Sequence, residues 1–304
     1  MNHQPPTTDP RPPDGILILD KPADWTSHDV VAKVRKLCRT RRVGHTGTLD
    51  PFATGVLLVC LNRATRLVQF LTGADKEYLA TIRFGFATDT GDLTGTPLFP
   101  PTSTASLNET LLETALAQFR GPITQIPPMY SAKKIGGVKL YEMARRGEEI
   151  ERAPIAVEIK QLKLLTPLQN DKCVIRVVCS SGTYIRTLAE DIGKAVGVDA
   201  HLTALRRTRV GNCHLAQAHT LETLAAAAAD ETLTQFITPM EAVLQGPEVF
   251  LSEAEAKLIS HGRAIRQVAQ WSPGQPVKLM YQQQLVAIAT YNANAQTLHP
   301  GLVF

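Results

Sequence analysis

The sequence predicts an α+β fold built on a mixed β-sheet, with a smaller β-rich unit at its C-terminal end. Three observations lead there. Strand and helix signals alternate along the chain without the repeated βαβ period of a doubly wound fold. Hydrophobic residues make up 44% and charged residues 20% of the 304 positions, which supplies a sizeable core and argues against wholesale disorder. The composition changes at Gln245-Gly246-Pro247, leaving roughly 60 residues beyond it, a minimal domain that leans on the larger one.

Order begins at Gly15-Ile-Leu-Ile-Leu-Asp20, an apolar run closed by Lys21-Pro22 that suits a buried strand and a turn. Thr26 and Asp29 have capping-box spacing, and Val30, Val31, Val34, Leu37 and Cys38 repeat behind them with helical period, so a helix leads to Thr40. After a Gly-rich stretch, Val56 to Leu61 reads as a buried strand and Thr65 to Leu71 as a short helix. Tyr78, Ala80, Ile82, Phe84 and Phe86 alternate with Leu79, Thr81, Arg83 and Gly85, the pattern of a long strand. From Thr88 to Ser106 the chain is rich in Thr, Gly, Pro and Asp and reads as an irregular surface excursion on which little depends. Ser106 with Glu109 forms another capping box, opening a helix with Leu112, Leu116 and Phe119 on one face. Strands follow at Ile155 to Leu165 and Cys173 to Cys179, then a helix from about Tyr184 to Val196 that stops at Gly197. Leu221 to Asp230 is a strong helix former. In the last unit Ser252 to His261 reads as a helix stopped at Gly262, with short strands at Val277 to Tyr281, Leu285 to Tyr291 and Leu302 to Phe304.

Composition narrows the function classes. Lys plus Arg is 32 against 28 acidic residues, and the net charge of +4 is too small to name a partner, so the distribution of charge carries the information. The five cysteines, Cys38, Cys60, Cys173, Cys179 and Cys213, include no Cys-x-x-Cys pair. Neither a disulfide framework nor a zinc site is expected from them, and thiols in a reducing cytosol fit the pattern. No apolar stretch approaches the roughly 20 residues needed to span a bilayer. Met1 to Pro13 is polar and proline-rich, reads as a disordered tail, and resembles neither a signal peptide nor a transit peptide. The expectation is a cytoplasmic monomer with no membrane association and no obligate protein partner.

Two segments carry chemistry. Lys33 to Arg42 holds six basic residues in ten and no acid. Such a block repels itself unless an anion is near, and phosphate backbones are the usual anion; a solvated helix end is the alternative. Further basic clusters at Lys133-Lys134, Arg145-Arg146 and Arg206-Arg207-Thr208-Arg209 favour a groove lined for nucleic acid. Directly behind the first block, Arg42 to Gly55 places glycines, small hydroxyl residues, one imidazole and one carboxylate between a helix and a buried strand. Glycines there allow close approach of a ligand. Asp50 precedes Pro51, which restricts it to an extended conformation and fixes the direction of its side chain.

Gly44-His45-Thr46-Gly47-Thr48-Leu49-Asp50-Pro51 and Ala53-Thr54-Gly55 closely resemble the central motif of the tRNA pseudouridine synthases of the TruB type, which isomerise the T-loop uridine at position 55 of tRNA. Other segments agree in order between about Gly15 and Gly211. Gly15 to Pro22 with Thr26-Ser27 resembles the family's opening strand, and Asp75-Lys76-Glu77-Tyr78 its tyrosine motif. Pro127-Pro128-Met129-Tyr130-Ser131-Ala132 is similar to its insert motif and Gly182-Thr183-Tyr184-Ile185-Arg186 to its arginine motif. The resemblance implies a mixed-sheet catalytic domain over residues 14–245 with an RNA-binding insert near 88–152, and, on a weaker match, a PUA-like RNA-binding domain over 246–304. It implies that Asp50 is the essential carboxylate, that Tyr78 contacts the target base and that Arg186 pairs with Asp50. Tyr184 would support the pocket and Leu205 would supply an apolar wall. His45 would stack where the extruded uridine left its neighbours, while Lys21, Arg41, Arg42 and Lys133 would bind the RNA. The implied partner is the T stem-loop of tRNA. No cofactor and no metal are implied, because the isomerisation is redox-neutral and breaks no phosphate bond. The sequence departs from the family in having Gly91 where a second Ser is common, and in its polar tail before Pro13.

These positions agree with physical need. Pseudouridine formation breaks the N1–C1′ bond, turns the uracil and joins C5 to C1′. A carboxylate can serve it by attack at C1′, by attack at C6, or in a glycal route with Tyr78 as base; the sequence leaves the three open. An RNA-binding protein without turnover and a hydrolytic nucleosidase are the competing readings. Joint presence of Asp50, Tyr78 and Arg186 weighs against the first. The second needs another carboxylate placed to activate water, and the adjoining motifs offer none.

Overall fold

The computed structural model describes residues 12–269, 271–272 and 274–304. Apart from Pro12 and Pro13, the tail expected to be disordered lies outside the described residues. The first half of the chain forms β1 (Gly15–Lys21), α1 (Ser27–Leu37), β2 (Val43–His45), β3 (Thr54–Leu61), α2 (Val68–Leu71), β4 (Lys76–Phe84), α3 (Glu109–Gln118), β5 (Gly121–Gln125), the hairpin β6 (Lys134–Ile135) and β7 (Val138–Lys139), and α4 (Leu140–Ala144). There follow β8 (Ile155–Leu164), β9 (Lys172–Cys179), α5 (Ile185–Ala195), β10 (Ala200–Val210), β11 (Cys213–His214), α6 (Leu221–Ala229) and α7 (Met240–Val243). The last part comprises β12 (Glu248–Phe250), α8 (Glu253–Ser260), β13 (Ile265–Arg266), β14 (Pro276–Tyr281), β15 (Gln284–Asn292) and β16 (Thr297–Val303).

A nine-stranded sheet in the order β1-β3-β10-β4-β9-β8-β5, with β2 on β3 and β11 on β10, organises the larger part. Its mixed character comes from one junction, since β10 runs parallel to β3 and antiparallel to β4. The inward faces of β4, β8, β9 and β10 are covered by α3 and α5. Helices α1 and α6 cover the other end of the sheet, at β1 and β3. A separate five-stranded sheet, β12-β14-β15-β16-β13, holds its own core with α8. Ile16, Leu58 and Val210 of the large sheet pack in one cluster with Met240, Val243, Met280 and Ile288, so the small sheet does lean on the large one.

Local signals account for most element starts. Thr26 accepts from Asp29 N at 3.1 Å while the Asp29 carboxylate accepts from Thr26 N at 2.9 Å, the reciprocal capping box that opens α1. Ser252 and Glu255 repeat it at α8. The expected box at Ser106 does not form; Asn108 caps α3 instead, its side chain accepting from Leu111 N at 2.9 Å, because asparagine directly before the first helical residue satisfies that donor without help from Glu109. The short helix expected at Thr65 to Leu71 starts earlier, as a 3₁₀ turn over Asn62–Leu67, before α2.

Strand β10 is where the structure departs most from the sequence reading. Eleven residues long and central in the sheet, it contains Leu205 and the run Arg206 to Arg209. Irregularities in its pairing with β4, between Leu202 and Ala204 and between Arg207 and Arg209, break the two-residue alternation that would have announced it.

Gly55, at the start of β3, is flanked by Lys21 on β1 and Arg207 on β10. Its φ is +104° and a β-carbon there would lie 2.1 Å from the Arg207 carbonyl oxygen, so two constraints demand glycine. Gly55→Ala is expected to destabilise the protein by roughly 3 kcal/mol or more, read as a lowered midpoint in urea unfolding.

Candidate active site

Asp50 lies in the loop between β2 and β3, and five neighbours hold that loop. Ser27, at the start of α1, accepts from Leu49 N at 2.9 Å and donates to Leu49 O at 3.2 Å. The Pro51 carbonyl accepts from Asp24 N at 2.9 Å and from Lys21 Nζ at 3.1 Å. Thr46 N donates to Leu58 O at 3.2 Å, and Arg207 donates to Gly47 O at 3.0 Å. The carboxylate itself retains 31% side-chain exposure, so it is restrained yet reachable.

Its counter-ion is Arg186, on the first turn of α5 and 4% exposed. Nε donates to Asp50 Oδ2 at 2.9 Å and Nη2 to Asp50 Oδ1 at 3.3 Å, a forked pair that fixes the carboxylate plane. The other donors are also engaged: Nη1 reaches Thr90 O at 2.7 Å and Nη2 reaches Tyr130 O at 2.6 Å. Asp92 Oδ2 stands 3.8 Å from Arg186 Nε, and its other oxygen accepts from Thr90 Oγ1, Thr94 N and Thr94 Oγ1. Burial pushes the Asp50 carboxyl above the usual carboxylate range; Arg186 pulls against it, Asp92 adds to it, and Lys21 draws it down.

The start of α5 is fixed without a side-chain cap from Tyr184. Gln125, at the end of β5, accepts from Tyr184 N at 2.9 Å and donates to Tyr184 O at 3.1 Å, anchoring the helix that carries Arg186. Tyr184 is thus placed at the site's edge, with its phenol raised by burial. Tyr78 and Leu205 join Leu49 and Phe52 in the core cluster beneath Asp50. Burial pushes the Tyr78 phenol up as well, with the charge of Arg207 opposing it, so the phenol stays neutral.

The basic candidates divide. Lys21 is fully buried and donates to Pro22 O, Trp25 O and Pro51 O at 2.8, 2.6 and 3.1 Å, so its ammonium holds the Asp50 loop. Burial lowers its pKa to about 8, against the attraction of Asp50. Arg41 and Arg42 are exposed and lie beyond the last turn of α1, where Arg35 and Lys36 occupy the helix end. Lys133 is half-buried, just past Tyr130 and at the entry to the β6–β7 hairpin. The run Arg206 to Arg209, expected to follow RNA phosphates, is instead woven into the sheet. Arg206 pairs with Asp20 at 2.6 Å, Arg207 is buried, and Arg209 donates to Gly211 O at 2.8 Å.

Three contributors escaped the sequence reading: Gln125, Asp92 and the carbonyl of Thr90. The last two sit in the excursion on which little was expected to depend. Gly91 between them is buried, and a β-carbon there would meet Glu190 Oε1 at 2.3 Å. The signal was present, since Thr88-Asp-Thr-Gly-Asp92 combines hydroxyl and carboxylate groups too densely for a plain loop.

His45, on β2, accepts from Gly47 N at 3.3 Å through Nδ1 and meets His28 edge-on, ring centroids 5.6 Å apart. Burial lowers its pKa to about 4, with the charges of His28 and Arg207 adding to the effect.

Comparison with known proteins shows the family to which the chain is similar. The family model for the N-terminal domain of TruB family pseudouridylate synthases matches residues 35–185, and that for the tRNA pseudouridylate synthase B C-terminal domain matches residues 186–245. The chain is 45% identical over 251 residues to tRNA pseudouridine synthase B of Solibacter usitatus, covering 82% of this chain and 85% of that protein. It is 48% identical over 253 residues to tRNA pseudouridine synthase B of Symbiobacterium thermophilum, 83% of each. Among solved structures, a chain of an H/ACA RNP bound to a substrate RNA containing 2′-deoxyuridine superposes with a TM-score of 0.74 at 27% identity, covering 95% of this chain and 84% of that one.

The His45 environment gives a pH test. Its folded-state pKa lies below the 6.5 of a free imidazole, so the folded protein binds fewer protons than the unfolded chain between those values. Stability is therefore present above 6.5 and is lost as pH falls toward about 4. Urea melts across that interval should show the wild type losing more stability than His45→Gln.

Proposed function

The chain belongs to the TruB family of pseudouridylate synthases and isomerises uridine to pseudouridine in tRNA; we propose that its target is the T-loop uridine at position 55 and that Asp50 is the carboxylate that carries the reaction. The observation that carries the reading is the forked Arg186–Asp50 pair, in which a restrained and partly exposed carboxylate is held by a guanidinium with no freedom of its own. An enzyme acting on a base must take it out of the stack, so the uridine enters a site prepared for it. Tyr78 and Leu205 form its apolar floor and Asp50 meets the ribose and C6 side. His45, neutral at physiological pH, presents an uncharged ring to the gap the base leaves behind. The buried, neutral phenol of Tyr78 favours a packing and hydrogen-bonding role over that of a base in a glycal route.

RNA binding is assigned to the exposed Arg41 and Arg42, to Lys133 on the insert, and to the C-terminal sheet as a PUA-like module over 246–304. Lys21 is reassigned from the RNA to the Asp50 loop, since its ammonium is consumed by three carbonyls. A hydrolytic reading lacks support: Asp92 is buried and its free oxygen faces Arg186 instead of a water site.

The test is Asp50→Asn, which keeps the volume and removes the charge. It should fold and bind tRNA as the wild type does but release no tritium from tRNA labelled at uridine C5; substantial residual turnover would remove Asp50 from its role. Arg186→Lys should also lose most turnover, since a point charge cannot reproduce the fork.

Arg41 and Arg42 give a second test. Replacing both by Gln should weaken tRNA binding and make log affinity against log salt shallower by up to about 1.4–1.8, at roughly 0.7–0.9 per phosphate contact. Turnover at saturating tRNA should hardly change. An unaltered slope in filter binding would take both arginines off the RNA.

A further inference from the structure

Arg207 is 2% exposed and ranks among the largest fully buried side chains of the protein. It donates to three backbone carbonyls: Nε to Val56 O at 2.7 Å, Nη2 to Gly47 O at 3.0 Å and Nη1 to Thr48 O at 3.5 Å. Among the described residues no carboxylate comes within ion-pair distance of it, whereas its sequence neighbours Arg206 and Arg209 both have acidic partners. A buried cation without a carboxylate is a costly choice, and an apolar residue on the same strand would pack more favourably. Such a group persists where its position matters more than its cost.

That position is informative. Gly47 and Thr48 are the residues through which the chain approaches Asp50, and Arg207 binds both of their carbonyls. On the far side of Asp50, the Pro51 carbonyl is held by Lys21 and by Asp24 N. The loop is thus gripped before and after the carboxylate by two buried cations on the strands either side of β3. Arg207 also stands opposite Tyr78 in the β10–β4 pairing, and its guanidinium lies close enough to the phenol to offset part of the effect of burial. One side chain therefore touches the backbone of the Asp50 loop and the tyrosine beneath the base.

We propose that Arg207 is a positioning residue of this active site, a buried guanidinium that sets the Asp50 carboxylate and the Tyr78 ring in register with each other from the central strand. It does not contact RNA. The proposal rests on the reading of Asp50 as the catalytic carboxylate. A loop free to move by about 1 Å would lose on the order of a hundredfold in rate. An ammonium in place of the fork offers its donors from a single point with no fixed plane, so it cannot reach Val56 O, Gly47 O and Thr48 O in the same geometry, and charge alone does not replace it.

The experiment uses the full chain as Arg207→Lys and Arg207→Met, beside wild type, Asp50→Asn and the neighbouring control Arg206→Lys. Thermal melts give the folded fraction, filter binding of a tRNA transcript at several salt concentrations gives affinity and salt slope, and single-turnover conversion at saturating protein gives the rate. Both Arg207 variants are expected to bind tRNA within about threefold of wild type with the same salt slope, and to lose about a hundredfold in single-turnover rate per folded molecule. A folded Arg207 variant with a rate within about threefold of wild type overturns the proposal, as does a salt slope reduced by the roughly 0.7–0.9 of a lost phosphate contact. If neither variant folds, Arg207 is a core residue and the proposal is likewise overturned. Turnover retained by Asp50→Asn would instead refute the reading of Asp50, an outcome separable from all of these because it does not involve Arg207.

Discussion

A carboxylate withdrawn from water tends to take a proton, and an enzyme that depends on its charge has to oppose that tendency with a fixed counter-ion. Burial raises the pKa of Asp50, and Arg186 is the largest influence pulling it back. The arrangement of the large domain follows from what Arg186 needs in order to do this. Its guanidinium comes from α5, yet two of its hydrogen bonds end on Thr90, in the excursion after β4, and on Tyr130, in the insert before β6. Four separate segments of chain are therefore joined at one planar group. Neither the excursion nor the insert can shift far without loosening the fork on Asp50.

The central strand works from the opposite side. Leu205 and Arg207 both face inward from β10, the first into the apolar cluster below Asp50 and the second into the backbone of its loop. Because β10 pairs in parallel with β3 and antiparallel with β4, it links the β1–β3 end of the sheet to the β4–β9–β8 end, and the candidate site lies over that junction. Gly55 permits the close approach, since a side chain there would occupy the space of the Arg207 carbonyl. Fold and site are coupled through that contact.

Much of this was legible in the sequence where the signal is local. The capping box at Thr26 and Asp29, the alternation from Tyr78 to Phe84 and the Gly197 stop after α5 each depend on neighbours within a few residues. The pairing of Asp50 with Arg186 was legible through motif resemblance alone, because their 136-residue separation carries no periodic signal. What stayed hidden depends on distant backbone. Arg206 to Arg209 reads as a phosphate-binding run by composition, but Arg207 is bound to carbonyls some 160 positions earlier, which composition cannot encode. Two pairing irregularities also scrambled the alternation of β10. Lys21 hid in the same way, as a charged residue whose partners are all carbonyls. Asn108 displaced Ser106 because adjacency to the first helical turn outweighs the motif spacing.

Everything proposed for this site turns on a carboxylate held by Arg186 acting on a single flipped uridine of the T loop. Site-resolved mapping of pseudouridine in an unmodified tRNA transcript incubated with the wild-type protein tests it most directly. Conversion approaching one residue per tRNA, confined to position 55, is the expected result. Conversion at other uridines with position 55 untouched, or none at all by folded protein that binds the transcript, would contradict it.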